Sequence, residues 1–267
     1  MTLPPFALVR PTTLEEALRE LTEDSVPYCG GTELLLAMRA GLHRPDALVD
    51  LKRIPELTGV RVDDGVLVIG AAERHADLAA HPLLLERLPV FARMEKHIGN
   101  ARVRSQGSIG GNLCFAEPKS DVATLLMALE ASVTLVSPGG RRTVTVEEFV
   151  VGPYYAEKEP DEILVDIRIP LRAGLRGAYV KFQTMERPTV GVAVLADDAA
   201  GWYRLGVGAV GEVPLAWSFG SLEEIDPDDI ASRVDPTPDL AGSEEYKRHV
   251  TAVYVRRALA KLEQVSS

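Results

Sequence analysis

Two short glycine segments constrain the fold of this chain more than any other feature of its sequence. The first, Cys29-Gly30-Gly31-Thr32-Glu33-Leu34, lies where an apolar strand-like stretch meets a stretch with helical spacing; the second is Ser108-Ile109-Gly110-Gly111-Asn112. Glycine lets the backbone approach another group closely, and free N–H groups at a helix start attract phosphate oxygens. A strand that turns into a helix at such a segment predicts α/β organisation.

The residues around the first segment predict a small βαβ-like module. Thr13 and Glu16 have the spacing of a capping box at the start of a helix. Strands are predicted at 26–29 and 47–51, on either side of a helix at 33–39 that Gly41 ends. We assign residues 1–55 to this module.

A second module, residues 56–171, contains the second glycine segment. Pro82 suits the first turn of a helix that we expect to continue through His97. The other predicted elements are a strand at 66–71, a helix at about 120–129, a hairpin of 133–136 with 143–146, and a strand at 163–169.

The third module, residues 172–267, is predicted to be an antiparallel meander with helices. Three alternating strands are predicted at 178–184, 190–196 and 203–210. An acidic connection with a short helix spans 220–238, and apolar residues near a 3.6-residue period predict an amphipathic helix at 244–262.

Either glycine segment alone is more often a turn than a ligand cradle, and neither matches the Walker or GxGxxG pattern. Taken together they favour a ligand. Thr32 and Ser108 add hydroxyl groups, and Asn112 is one of only two asparagines in the chain. Asp121 follows nine residues later, where it either binds ligand hydroxyls or only stabilises the first turn of its helix. A nucleotide with a diphosphate and a polyol would use all these groups.

Composition excludes several other kinds of site. The formal net charge of −10 disfavours nucleic acid as the main partner. Two cysteines cannot hold a four-cysteine iron–sulfur cluster or a zinc ribbon, and the five histidines have no metal-ligand spacing. The N-terminus lacks the pattern of a signal peptide, and residues 122–136 are too short and too polar to span a bilayer. We therefore expect no metal site, no transmembrane segment and a cytoplasmic location.

Several runs resemble the FAD-binding medium subunit of molybdenum hydroxylases, the group that includes aerobic carbon monoxide dehydrogenases and xanthine dehydrogenases. They are LLLAMRAG after the first glycine segment, RSQGSIGGNLCFAEPKSD, DEILVDIRIP, AYVKFQTMERP and the terminal YKRHVTAVYVRRALAKL. The resemblance implies an α+β fold: a two-subdomain α/β FAD-binding fold of the PCMH or vanillyl-alcohol-oxidase-like type, followed by a C-terminal domain of three antiparallel strands with helices.

The same resemblance implies roles for individual residues in binding FAD. The backbone from Pro27 through Leu34 would wrap the diphosphate and the flavin edge, and the second segment would form the second wall of that cradle. Asp121 would bind cofactor hydroxyls, and Lys181 would favour the reduced, anionic flavin. Ile98 and Leu164 would make apolar contacts. The full set is Pro27, Tyr28, Cys29, Gly30, Gly31, Thr32, Glu33, Leu34, Ile98, Ser108, Ile109, Gly110, Gly111, Asn112, Asp121, Leu164 and Lys181. We expect no catalytic side chain, and an outward, solvated Lys181 is the other interpretation of that residue.

The implied function is electron transfer within a complex. An iron–sulfur small subunit would reduce the flavin after a molybdopterin large subunit oxidises the substrate, in a dimer of heterotrimers, and an external acceptor would take the electrons. Cys29, Ser108 and the run after Lys181 depart from the usual family residues. Two alternatives remain: a self-contained FAD-dependent oxidoreductase and a non-catalytic assembly subunit. A basic group of Arg93, Lys96, Arg102 and Arg104 is either a solvated face or a docking patch for an acidic redox partner.

Overall fold

The N-terminal module is a three-stranded parallel sheet with two short helices. The computed structural model describes residues 2–184 and 187–265. The elements are β1 (Ala7–Val9), α1 (Leu14–Arg19), β2 (Ser25–Tyr28), α2 (Leu34–Ala40) and β3 (Ala47–Asp50), with strand order β1-β3-β2. The predicted capping box forms only in part, since Thr13 Oγ1 accepts from Glu16 N, whereas the Glu16 carboxylate accepts from Thr12 N.

The second module is a five-stranded antiparallel sheet covered by helices. Its strand order is β4-β5-β10-β6-β7. The strands are β4 (Val60–Asp63), β5 (Val66–Gly70), β6 (Ser132–Ser137), β7 (Gly140–Thr145) and β10 (Ile163–Pro170), with β8 (Val150–Gly152) and β9 (Tyr155–Ala156) as a separate small hairpin. The helices are α3 (His75–Ala80), α4 (Pro82–Arg87), α5 (Pro89–Glu95), α6 (Ala101–Gln106), α7 (Ile109–Phe115), α8 (Asp121–Ala128) and α9 (Val146–Phe149).

The single helix predicted from Pro82 through His97 is wrong, because the structure divides it into α4 and α5. Leu88 has φ −144° and ψ 58°, outside the helical region, and Pro89 begins the next helix. Proline has no N–H to donate and disfavours helical backbone in the residue before it. Both helices nevertheless pack on the same core, so the apolar residues continue through the break.

The C-terminal module is an antiparallel sheet with strand order β11-β12-β13-β14. Its elements are β11 (Arg176–Phe182), β12 (Val190–Asp197), β13 (Trp202–Gly208), β14 (Leu215–Phe219), α10 (Pro227–Arg233) and α11 (Glu244–Val265). The prediction of three strands is short by one. The alternation of Leu215, Trp217 and Phe219 with small residues is the sequence signal for β14, whose large side chains pack on the core beside α11.

Strands β10 and β12 join the modules through shared cores. In β10, Ile163 and Val165 pack in the N-terminal core, whereas Leu164 and Ile167 pack in the main core, with a register shift between Leu164 and Asp166. Every residue of β12 is buried, because one of its faces packs on the main core and the other packs beneath α11. Among the described residues, no helix combines the length and apolar character needed to cross a membrane.

Helix α8 lies directly against β13, where glycine permits the close approach. A Cβ on Gly208 would overlap the Thr124 hydroxyl and lie 3.0 Å from Thr124 Cβ. Thr124 is buried, and its hydroxyl donates to Ser120 O at 2.8 Å. The interface between the second and third modules therefore requires glycine at position 208, where a side chain would clash with Thr124.

Gly208→Ala should lower the free energy of unfolding by about 1–3 kcal/mol, because an added methyl group overpacks the contact between α8 and β13. Gly139→Ala is the control, since a Cβ there would lie 3.5 Å from Ser137 Oγ, an ordinary contact. Urea unfolding of the two variants checks this. Equal midpoints for both variants and the parent would show that the interface adapts without cost.

Candidate functional site

A cleft of about 850 Å³ opens between the three modules. That volume falls within the range of about 300–1,000 Å³ for small-molecule and cofactor sites. Of the predicted site residues, all but one line it: Pro27, Tyr28, Cys29, Gly30, Gly31, Thr32, Glu33, Leu34, Ile98, Ser108, Gly110, Gly111, Asn112, Asp121, Leu164 and Lys181. The exception is Ile109, which is fully buried in the main core and faces away from the cleft.

The first glycine segment forms the turn from β2 into α2 and leaves amide donors free. Gly31 has φ +67°, a left-handed conformation, and a Cβ there would lie 2.5 Å from the Tyr28 ring. Within the described part of the chain, no protein acceptor takes the N–H groups of Thr32, Glu33 or Leu34. These three amides at the start of a helix suit an anionic oxygen.

The second glycine segment differs, because the protein already uses its amides. Ile109 N donates to Glu73 O at 3.0 Å and Gly110 N to Ala71 O at 2.9 Å. Gly111 N donates to Ser108 Oγ, the N-cap of α7, at 3.3 Å. This segment therefore presents a shaped backbone surface to the cleft rather than a set of free donors.

Gly110 and Gly111 face opposite sides of that surface. A Cβ on Gly110 would lie 2.7 Å from Ala71 Cβ and 2.8 Å from Ala71 O, within the core. Among the described side chains, a Cβ on Gly111 would meet Ser108 Oγ alone, at 2.9 Å, and Gly111 lines the cleft. The space above Gly111 and the free amides of the first segment fit a dinucleotide such as FAD.

The first segment packs against the backbone that leads directly into the second segment. A Cβ on Gly30 would overlap Gln106 O and lie 2.7 Å from Gly107 Cα. Burial raises the pKa of the Cys29 thiol, and the neighbouring Ser108 hydroxyl opposes this shift only partly. Burial raises the pKa of Cys114, the other cysteine in the cleft, to about 11. Both thiols are therefore protonated at neutral pH and poorly suited to a covalent cofactor link.

Asp121 connects the second and third modules. Its Oδ1 accepts from Tyr179 Oη at 2.6 Å, and its Oδ2 accepts from Lys181 Nζ at 2.6 Å. Lys181 Nζ also donates to His97 O at 2.8 Å. Burial and the Asp121 carboxylate raise the pKa of Tyr179 well above its usual value. Lys181 is thus an inward, charge-paired residue, and the interpretation of it as an outward, solvated lysine is wrong.

Arg187 closes one side of the cleft and was not among the predicted site residues. Its Nη2 donates to both carboxylate oxygens of Glu33 at 3.0 Å, and its Nη1 lies 2.8 Å from Glu117 Oε2. The contacts join the third module to the first and second. The sequence does show an arginine in the run after Lys181. Its partners, Glu33 and Glu117, lie 154 and 70 positions away, so no local sequence pattern identifies them.

Two other features near the cleft were also missed by sequence reasoning. His75 and Glu95 form a buried pair, with Nδ1 2.8 Å from Oε2. Tyr154, at φ +57°, has its ring in edge-to-face contact with Phe115. No described group of three or more His, Cys, Asp or Glu side chains is arranged to hold a metal ion.

The predicted basic group divides in the structure. Arg93 donates to Gly177 O at 3.2 Å, and Arg104 donates to Ile98 O at 2.9 Å, so both guanidinium groups support the backbone. Lys96 and Arg102 are exposed. Arg93 is exposed as well, although its guanidinium bonds to the backbone, whereas Arg104 is half-buried. Lys96 and Arg102 are therefore the clearest candidates for a docking contact.

Comparison with known proteins assigns the chain to a family. Residues 4–172 match the family described as the FAD binding domain in molybdopterin dehydrogenase. The carbon monoxide dehydrogenase medium chain of Hydrogenophaga pseudoflava is 32% identical over 96% of this chain and 96% of its own length. Subunit alpha of the 6-hydroxypseudooxynicotine dehydrogenase complex of Paenarthrobacter nicotinovorans is 30% identical over 97% of this chain and 94% of its own.

The fold agrees with a solved structure of the same group. Carbon monoxide dehydrogenase from H. pseudoflava, in a form that lacks the Mo-pyranopterin moiety of the molybdenum cofactor, superimposes with a TM-score of 0.90. The alignment has 32% identity and covers 97% of this chain and 98% of that one. The expected α+β FAD-binding fold is confirmed. The chain therefore belongs to the family of FAD-binding medium subunits of molybdenum hydroxylases, and it is a flavoprotein component of an oxidoreductase.

Proposed function

We propose that the chain carries electrons from an iron–sulfur subunit to an external acceptor within a molybdenum hydroxylase complex. The observation that carries the proposal is the cleft, which is lined both by the first glycine segment, with its free amides, and by Gly111 of the second. FAD supplies the redox chemistry when bound, because it exchanges one or two electrons. The two cysteines of the chain cannot themselves ligate a four-cysteine iron–sulfur cluster, so a second subunit would hold that centre.

The first proposed role of the chain is to bind the diphosphate. Thr32, Glu33 and Leu34 would donate their amides to its oxygens, and Ser108 would place the opposite wall. The Arg187 guanidinium would fix the third module at one side of the cleft through its contacts with Glu33 and Glu117. Residues 1–55 and 56–171 are proposed as the two FAD-binding subdomains, with 172–267 as the C-terminal flavoprotein domain.

The second proposed role is to set the surroundings of the flavin. Leu164 and Ile98, both nearly buried, would exclude water by apolar contact. Lys181 was expected to favour the reduced, anionic flavin as a cation. Since Asp121 already pairs with Lys181 at 2.6 Å, that effect is weaker than an unpaired lysine would exert. Asp121 would bind cofactor hydroxyls only through the lone pairs that Tyr179 and Lys181 leave free.

Gly111→Val should weaken FAD binding at least tenfold, about 1.4 kcal/mol, because the side chain would project into the cleft. The fold should persist, since among the described side chains the added Cβ would meet Ser108 Oγ alone, the rotatable end of a short side chain. Gly139→Val makes the same change in an exposed turn and should bind FAD like the parent. Gly31→Val is a poorer probe, because Gly31 also needs its positive φ. The measurements are FAD titration and thermal unfolding of each apoprotein. A Gly111→Val chain with parental affinity would contradict the cleft assignment.

Electron transfer is tested by mixing the FAD-loaded chain with its iron–sulfur subunit, reduced beforehand and freed of excess reductant. Stopped-flow bleaching of the flavin band should follow, and the FAD-loaded chain alone should not oxidise the substrate of the complex. Absence of bleaching would favour the assembly subunit; substrate turnover by the isolated chain would favour the self-contained flavoenzyme.

The same assay tests the docking role of the basic group. Lys96→Glu and Arg102→Glu should slow bleaching and reduce its salt dependence, because steering between opposite charges is screened over about 8–10 Å. Lys261→Glu reverses an exposed charge on α11 and serves as the control. An unchanged rate and salt slope in the first two variants would remove the docking role.

A further inference from the structure

A buried histidine–glutamate pair lies behind the cleft wall. His75 is the first residue of α3 and Glu95 the last of α5; their side chains are 2% and 0% exposed. His75 Nδ1 lies 2.8 Å from Glu95 Oε2. Burying an ionisable pair in an apolar core is costly, so the pair needs an explanation beyond packing.

The position of His75 connects the pair to the cleft. His75 is among the residues that line the cleft, and its backbone N–H donates to Gly107 O at 3.1 Å. A Cβ on Gly107 would lie 3.1 Å from His75 Cδ2 and 3.4 Å from Thr32 Oγ1. The Cδ2 edge of the imidazole, which also carries Nε2, therefore lies where the two glycine segments meet. Among the described residues, none is hydrogen-bonded to Nε2.

Burial of Glu95 determines which imidazole nitrogen carries a proton. Glu95 Oε1 has no hydrogen-bond partner among the described residues, so a net negative charge on the pair would be poorly compensated. Asp121 adds further negative charge nearby, although Lys181 neutralises it. Burial raises the pKa of the Glu95 carboxyl, and the neighbouring His75 only partly opposes this shift.

The His75–Glu95 pair can have no net charge in two protonation forms, and Nε2 of His75 is a hydrogen-bond donor in both. Either Glu95 is ionised beside an imidazolium, or Glu95 is protonated and donates to Nδ1. In each form Nε2 carries a hydrogen. The buried carboxyl therefore makes His75 a hydrogen-bond donor at Nε2.

We propose that His75 is a further cofactor-binding residue, which donates from Nε2 to an oxygen of the FAD diphosphate and is oriented by Glu95 as a positioning residue. The inference rests on the proposed function, because it places the diphosphate at the glycine segments. It adds a side-chain donor, fixed from behind, to the three free amides of the first segment.

The test compares His75→Leu, which removes the donor, with His75→Gln, which keeps an N–H of similar reach. His75→Leu should weaken FAD binding about ten- to a hundredfold, the usual worth of a hydrogen bond to a charged group. His75→Gln should stay within about threefold of the parent. His81→Leu is the control, since His81 follows α3 directly and does not line the cleft. FAD titration of each apoprotein gives the affinities.

Two spectroscopic measurements separate a bond from packing. The ³¹P resonances of bound FAD should shift in His75→Leu but not in His81→Leu, and ¹⁵N-histidine spectra of the parent should show Nε2 protonated. Equal weakening by His75→Leu and His75→Gln, unchanged ³¹P shifts, or a deprotonated Nε2 would each overturn the assignment. A shift of the flavin carbonyl ¹³C resonances alone would also overturn it, because His75 would then contact the ring.

These outcomes are distinguishable from failure of the proposed function. If the iron–sulfur subunit fails to bleach the flavin while the variants behave as expected, only the electron-transfer proposal falls. If the parent chain binds no FAD, both fall.

Discussion

The contact between the two glycine segments is the constraint on which the rest of the site depends. Gly30 lies so close to the backbone of Gln106 and Gly107 that no side chain fits between them. This contact brings the β2–α2 turn of the first module against the α6–α7 turn of the second. The cleft exists because these two turns meet at one edge, while the third module closes the other side through Arg187 and Lys181.

The segments look alike in sequence but have different physical roles. In the first, glycine supplies a left-handed turn, and the following amides have no protein acceptor within the described chain. In the second, the amides of Ile109 and Gly110 bond to the Ala71–Glu73 turn. Gly110 allows that packing because it has no Cβ to clash with Ala71. Gly111 keeps the cleft open because it has no side chain to project into it. One segment therefore provides electrostatic attraction for an anion, and the other provides shape.

The sequence predicted those elements that are determined by residues close together in the chain. The turn into α2 and the hairpin of β6 and β7 follow from glycine, proline and apolar alternation. The break at Pro89 was missed because one apolar face continues across it, and Ile109 was misplaced because a motif does not show which side of a helix faces a ligand. The His75–Glu95 pair, 20 positions apart, depends on how α3 packs on α5, which no window of sequence contains.

We infer that the free amides after Gly31 are the main anion donors of the cleft. Residue-resolved hydrogen exchange of the chain with and without FAD tests it most directly. The amides of Thr32, Glu33 and Leu34 should exchange fast in the apoprotein and become protected when FAD binds. Those of Ile109 and Gly110 should be protected in both states, because protein carbonyls already accept them. Protection gained at Ile109 and Gly110, with none at Thr32 to Leu34, would contradict the account.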